Sequence, residues 1–246
     1  MKSKISAFII TKNEERNIRR ALESIKWADE IVIVDGYSTD KTCEIAREYG
    51  AHIILSKYAG HGEEKNKAIR ACKYDWIVEI DADEELTKDC EFEIRTAIEN
   101  NTYSGYKLIR EEKFLGRVII RAPKIRVYRN KFLYKGYTHE VLQATGRIGR
   151  LKTIINHYNN QTIDEFIEYN EVQSTQEVDK MIKEHKHFSR LGIVLRIIYG
   201  NVYTFAMYYF YFGLIFKGFP GFAYTILGCN HVNIIYVKYY ERKYKT

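Results

Sequence analysis

The chain is predicted to fold as an α/β protein, with a mostly parallel sheet flanked by helices and a helical C-terminal extension. Three observations lead there. Short apolar runs recur at 5–10, 30–35, 52–55 and 76–80, with helix-forming segments between them. Polar residues stand where three of the runs stop: Thr11, Asp35 and Asp81. Charged residues are missing from 197–216 and again from 218–237, a region crowded with tyrosine and phenylalanine. Alternating strands and helices argue for a parallel sheet covered on its faces. Such sheets bind ligands beyond the carboxyl ends of their strands.

The first strand, 5–10, runs into Thr11-Lys12-Asn13-Glu14-Glu15. There Asn13 is the expected cap of a helix whose apolar face is Ile18, Ala21, Leu22 and Ile25. The second strand, 30–35, ends at Asp35, and Gly36-Tyr37-Ser38-Thr39-Asp40 makes a turn into the next helix. Ser38, Thr39 or Asp40 can cap that helix, and Gly50 can stop it. A strand at 52–55 and a helix at 63–72 lead to the fourth run, Trp76-Ile77-Val78-Glu79-Ile80-Asp81-Ala82-Asp83-Glu84. That run reads as a buried strand releasing two carboxylates, spaced by one residue, on the same side. A divalent cation with hard oxygen ligands fits between them and a nucleotide diphosphate. Taken alone, a D-x-D is equally a solvated acidic turn.

The accompanying motifs carry a resemblance. Ile10 to Glu14, Val34 to Asp40, Glu64-Lys65-Asn66-Lys67-Ala68 and Asp81-Ala82-Asp83-Glu84 resemble, in motif and spacing, the landmarks of family 2 glycosyltransferases. Pro123 to Arg129, Tyr137-Thr138-His139-Glu140, Gly149-Arg150-Leu151 and His157-Tyr158 resemble the branch that includes the lipopolysaccharide-core β-glucosyltransferases. Tyr37 departs from the family pattern, which more often has glycine there. The resemblance implies a GT-A type, Rossmann-like fold and an inverting, metal-dependent hexosyl transfer from a nucleotide-sugar, expected to be a UDP-sugar. The acceptor is a glycan or glycolipid hydroxyl. It also implies nucleotide contacts from Thr11, Asp35 and Lys65, with Asp81 near the ribose or reaching the metal through water. Asp83 is the principal ligand for magnesium or manganese, and His139 is a further candidate ligand. Glu140 is the expected base for the acceptor hydroxyl. Lys65 also reads as a solvated helix residue, and Arg126 and Arg129 read as reaching toward substrate phosphate or solvent.

Competing readings are a polyprenyl-phosphate sugar transferase, whose charged acceptor needs no base, and a silent membrane-bound nucleotide-sugar-binding protein. A nucleotidyltransferase is disfavoured because Thr11-Lys12-Asn13-Glu14 lacks glycine. A dehydrogenase is disfavoured because no G-x-G-x-x-G follows the first strand.

At 246 residues the chain is long enough for a sizeable core. Cys43, Cys72, Cys90 and Cys229 are scattered and predict neither zinc nor disulfides. The N-terminus enters the first strand at once, which favours a cytoplasmic location over export. Net charge is +7, yet no nucleic-acid motif is visible, and an anionic membrane surface fits better. The expected partners are therefore a nucleotide-sugar donor, a lipid-linked or oligosaccharide acceptor and the inner face of a membrane, with no nucleic acid. The predicted organisation is a transferase domain over 1–190, divided into a nucleotide-sugar half (1–103) and an acceptor half (104–190), then a membrane-associated extension over 191–246. Within the acceptor half, 104–127 reads as strand, and Thr162-Ile163-Asp164-Glu165 is a capping box opening a long helix on which His185 and His187 are solvated. The extension is tyrosine-rich and interrupted by Gly218, Pro220 and Gly221, a pattern that suits interfacial embedding better than a spanning hairpin. Lys238, Arg242, Lys243 and Lys245 would add roughly 1 kcal/mol each near acidic headgroups.

Overall fold

Four apolar runs become four parallel strands: β1 (Ile5–Thr11), β2 (Glu30–Asp35), β3 (His52–Leu55) and β4 (Trp76–Glu79). The helices between them are α1 (Ile18–Ile25), α2 (Thr42–Glu48) and α3 (His61–Ala71). The structure, a computed structural model, describes residues 3–136, 140–158 and 162–245. The chain divides into two compact units, Met1–Glu111 with Arg121–Tyr158, and Glu112–Ile120 with Asn159–Thr246.

The chain continues through β5 (Glu84–Leu86), α4 (Cys90–Glu99), β6 (Gly105–Phe114), β7 (Arg117–Arg129), β8 (Tyr134–Lys135), β9 (Val141–Leu142) and β10 (Ile148–His157). Eight strands form one sheet in the order β3-β2-β1-β4-β7-β6-β10-β5, while β8 and β9 pair separately. The first four strands of this order are parallel; β7 lies antiparallel to β4, and β5 antiparallel to β10. The expected α/β architecture is therefore present.

Alternation along each strand feeds two apolar layers. Ile5, Ala7, Ile9, Ile31, Ile33, Trp76 and Val78 face one layer with Ile18, Leu22 and Ile25 of α1 and Ile94 of α4. Phe8, Val32, Val34 and Ile77 face the other with Ala68 and Ile69 of α3. Register then sets the edge where chemistry can occur. Thr11 lies opposite Asp35, and β4 stops with Glu79 opposite Phe8, so the residues after Glu79 run on beside the end of β1.

Two expected caps differ. Asn13 does not cap α1; it adopts φ 55, and its side chain accepts from the Thr39 amide instead. The N-cap of α2 is Lys41, none of the three candidates, although Asp40 beside it accepts from the Thr42 amide at 3.0 Å. Gly50, at φ 68, ends α2 as expected.

The second unit takes in the Glu112–Ile120 turn between β6 and β7, then α5 (Ile163–Lys183), α6 (Arg190–Phe205), a π-helical turn (Ala206–Tyr211), a 3-10 turn (Leu214–Lys217) and α7 (Gly218–Tyr244). Thr162 and Glu165 form the reciprocal capping box. Phe114, Ile119, Phe166 and Leu214 make one apolar cluster, and Val178, Ile193, Ile235 and Tyr239 another. Asn201 of α6 donates to the Asn233 side chain of α7 at 2.6 Å. His185 and His187 are exposed, and α6 begins at Arg190.

The 22 residues Arg190–Tyr211 are long and apolar enough to cross a membrane by length and composition, yet only 6% of their 18-residue apolar window is buried. Leu191, Val194, Leu195, Ile198 and Val202, spaced along one side of α6, are 42–68% exposed.

Candidate active site

The loops that follow β1 and β2 hold each other. The amides of Asn13, Glu14 and Glu15 donate to Ser38 Oγ, Thr42 Oγ1 and Asp40 Oδ2 at 2.8, 2.8 and 3.1 Å. In return the amides of Thr39 and Lys41 donate to Asn13 Oδ1 and Glu15 Oε2 at 2.8 and 3.1 Å. Asp35 is fully buried and accepts from the amide and hydroxyl of Ser38 at 2.8 and 2.5 Å. Thr11, on the neighbouring strand, is also buried, and its hydroxyl has no hydrogen-bond partner among the described residues. Tyr37 takes φ 60 with its ring half exposed. A tyrosine in this left-handed region costs about 1–2 kcal/mol.

The D-x-D lies in a tight turn joining β4 to β5, not on a strand. The Glu84 amide donates to the Asp81 carbonyl, and the Asp81 amide to Glu84 Oε2 at 3.1 Å. The two acids consequently diverge. Asp81 faces Arg126 of β7, with Nη2 to Oδ2 at 2.5 Å. Arg126 reaches neither solvent nor an open phosphate site, contrary to expectation. It is 4% exposed and also pairs with Glu79 at 2.6 Å and Glu84 at 2.7 Å. Arg129 stacks on Trp76 and pairs with Asp75.

Electrostatics follow this crowding. Burial pushes the Glu79 and Asp81 carboxyls up, but Lys65 and Arg126 together outweigh it and hold both below the ordinary carboxylate range. At Glu84 burial wins, despite Arg126, and its carboxyl is raised. Tyr128 and Tyr134 donate to the second Glu79 oxygen, and burial raises both phenols.

Lys65 is not solvated. Its ammonium sits 3.0 Å from both Glu79 and Glu140 and 4.9 Å from the centre of the Tyr134 ring. Burial opposes its charge, but Glu79 and Asp81 raise its pKa well above the ordinary lysine value. The same face of α3 seats Tyr134 and Gly136. Asn66 Nδ2 donates to the Tyr134 carbonyl at 3.0 Å, and the Tyr134 amide donates to Asn66 Oδ1 at 2.7 Å. A side chain at Gly62 would place Cβ 2.5 Å from the Gly136 carbonyl and 3.2 Å from Glu140 Cβ, so glycine is what allows this approach. Lys65 thus joins Glu140 to the buried network.

Asp83 points elsewhere. Its Oδ2 lies 3.1 Å from His157 Nε2 at the end of β10, where β5 and β10 pair His157 with Glu84. The Asp83 side chain keeps 24% exposure, whereas His157 is buried at 9%. A hard carboxylate and an imidazole suit a divalent cation that takes its remaining ligands from a substrate. Among the described residues no group of three or more His, Cys, Asp or Glu is placed to hold a metal unaided. His139 lies outside the described residues. Sequence reasoning assigned no individual role to Glu79 or His157. A carboxylate inside an apolar run was the available signal for Glu79, and the end of a strand was the signal for His157.

Residues 6–166 match the model of Glycosyl transferase family 2. The chain belongs to that family. This transferase is 33% identical over 238 residues to an uncharacterized glycosyltransferase of Rickettsia typhi, covering 88% of its own length and 80% of the relative's. It is 26% identical to the lipopolysaccharide core biosynthesis glycosyltransferase LpsC of Rhizobium meliloti, over 97% of its length and 92% of LpsC. The crystal structure of Staphylococcus aureus TarS 1–349 aligns with a TM-score of 0.48 at 19% identity, over 70% of the transferase and 64% of that chain.

Arg126→Met should strand the buried carboxylates of the transferase and cost roughly 3–5 kcal/mol near neutral pH. In the wild type the lowered Glu79 and Asp81 contribute stability above about pH 4, which is lost as pH falls through their folded values. Without the guanidinium those carboxyls titrate high, so the variant should regain part of its loss as the pH is lowered toward about 5. Urea unfolding across that range measures it; a deficit independent of pH contradicts the account.

Proposed function

We propose that this transferase moves a hexosyl group from a nucleotide diphosphate, expected to be a UDP-sugar, to a hydroxyl of a glycan or glycolipid in cell-envelope polysaccharide synthesis. The observation that carries the reading is the separation of two kinds of carboxylate at one sheet edge: Asp83 faces His157, and Glu140 is held by Lys65. Similarity to LpsC supports a glycan or glycolipid acceptor.

Thr11 and Asp35, at adjacent strand ends, are suited to the nucleoside, which the interlocked loops would cradle. Asp83 with His157 would hold the divalent cation, whose charge offsets that growing on the departing diphosphate. Asp81 supports this turn through Arg126. Glu140 accepts the proton as the acceptor oxygen bonds to the anomeric carbon, and the bond to the diphosphate breaks with its electrons leaving on the nucleotide. Lys65 keeps the Glu140 carboxylate oriented. One displacement with no covalent enzyme intermediate inverts the anomeric centre.

The bare stripe on α6, flanked by Arg190 and Arg196, together with exposed Phe216 and Phe219, supports embedding in the interface of an anionic membrane. A cytoplasmic enzyme held there would meet a lipid-linked acceptor in two dimensions.

Asp83→Ala should lower transfer at least about 100-fold, and Glu140→Gln comparably with nucleotide binding retained. Proton NMR of the product from an α-linked donor should show a β-linkage. A retained configuration, or an Asp83→Ala enzyme active in the presence of chelator, overturns the mechanism. Flotation with anionic liposomes tests the membrane reading: the wild type should float, and Leu191→Asp/Ile198→Asp/Phe216→Asp should stay behind. Wild-type protein left in the supernatant would place the stripe against protein instead.

A further inference from the structure

The helices of the second unit enclose a cleft whose hydrogen-bonding groups the fold leaves unspent. It measures about 310 Å³ and is lined by α5, the end of α6 with the π-helical turn, and α7. Asn170, Gln173 and Glu177 recur at helical spacing, so all three fall on the face of α5 that lines it. Thr204 comes from α6 and His231 from α7. Gln173 and Thr204 are half-buried, yet neither side chain makes a hydrogen bond among the described residues. Asn170 spends its amide group on the Phe166 carbonyl at 2.7 Å, which leaves its own side-chain oxygen to accept. His231 is the sharpest case. Its Nδ1 is buried with no hydrogen-bond partner among the described residues, and its Nε2 stands 3.7 Å from Glu177 Oε1, beyond hydrogen-bond reach. Buried polar atoms in folded proteins are nearly always paired, so this concentration of unspent groups suits a ligand that supplies the partners. The same cleft has an aromatic wall. Cβ at Gly228 would lie 2.7 Å from the Tyr208 ring, so glycine lets that ring rest against α7, and Tyr208 packs on Tyr224 at 5.8 Å between centres.

We propose that this cleft binds a neutral saccharide residue. A hydroxyl both donates and accepts, so it satisfies His231 Nδ1 in either tautomer and meets the Gln173 amide, the Thr204 hydroxyl and the Asn170 oxygen equally well. The C–H face of a pyranose offers the tyrosine rings the apolar surface that their own faces lack. Glu177 and His231 are the only lining groups that ionise near neutral pH, so nothing there draws a phosphate. The cleft has the size of a small-molecule site. Asp83, Glu140 and the loops after β1 and β2 take no part in it, so the inference goes beyond the transfer reading and stands without it.

Ligand-observed NMR titration of the full chain with the methyl glycosides of glucose, galactose, mannose and N-acetylglucosamine tests this. At least one should bind with a Kd on the order of 1 mM. Cyclohexanol, which keeps a six-membered ring but only a single hydroxyl, should bind at least about fivefold more weakly, as should the protein carrying Gln173→Met or Thr204→Val when titrated with the preferred glycoside. Both substitutions keep side-chain shape and remove only hydrogen-bonding groups. Excess UDP with manganese should change the glycoside affinity less than about twofold. No binding by any of the four glycosides overturns the proposal, as does unchanged affinity in both variants. Cyclohexanol bound as tightly would make the cleft an apolar groove, glucose 6-phosphate bound more tightly than methyl glucoside would make it an anion site, and displacement by UDP would move the sugar to the donor site; each of these also overturns it.

Discussion

A guanidinium shut away from water can persist in a folded chain only if carboxylates surround it. Arg126 meets this demand three times over, with Glu79, Asp81 and Glu84. The consequence is organisational as much as energetic. Glu79 lies on β4, Asp81 in the turn that follows, Glu84 at the start of β5, and Arg126 on β7. One buried charge thus ties the parallel part of the sheet to the antiparallel part at the point where the D-x-D emerges. Through Glu79 the tie reaches Lys65 on α3, and through Lys65 it reaches Glu140. Buried ion clusters add little net stability compared with apolar packing, but they penalise every arrangement that leaves one member alone. Here that selectivity sets the course of the chain around the site.

The fold was legible because its signals are local and repeated. Apolar runs of strand length, separated by amphipathic helices, can hardly bury themselves in another way, and the Thr162 capping box announced its helix from four residues. The site was legible in its parts more than in its connections. Asp83, Asp35 and Glu140 stand at strand ends or in loops, as sequence patterns suggested. The partners of Asp81 and Lys65 were hidden, because Arg126 lies 45 positions beyond Asp81 and Glu140 lies 75 beyond Lys65. No periodicity spans such distances. Asn13 failed as a cap for a related reason: the neighbouring loop competes for its side chain, and only the folded sheet brings that loop near.

The second unit follows a different balance. Its clusters around Phe114 and Val178 bury a modest set of side chains, while α6 and α7 leave many of theirs bare. Large apolar patches on a monomer mark contact with another phase or another molecule. Polar residues within the unit are meanwhile paired inward, Asn201 with Asn233 and Lys238 with Glu171 and Ser174, so the helices hold together without drawing on that outer surface. Internal cohesion and the bare apolar surface fall on different faces.

The interlocked loops after β1 and β2 carry an evolutionary consequence. Asn13, Glu15, Ser38, Asp40 and Thr42 each satisfy a backbone group of the opposite loop, so the two motifs amount to one structural unit written in two places. A substitution in either half leaves an orphaned amide in the other, and its penalty depends on what stands across the gap. Such pairs show non-additive energetics. In a lineage of these proteins the two segments should therefore drift together, and a graft that transplants one of them without its counterpart inherits a broken lock.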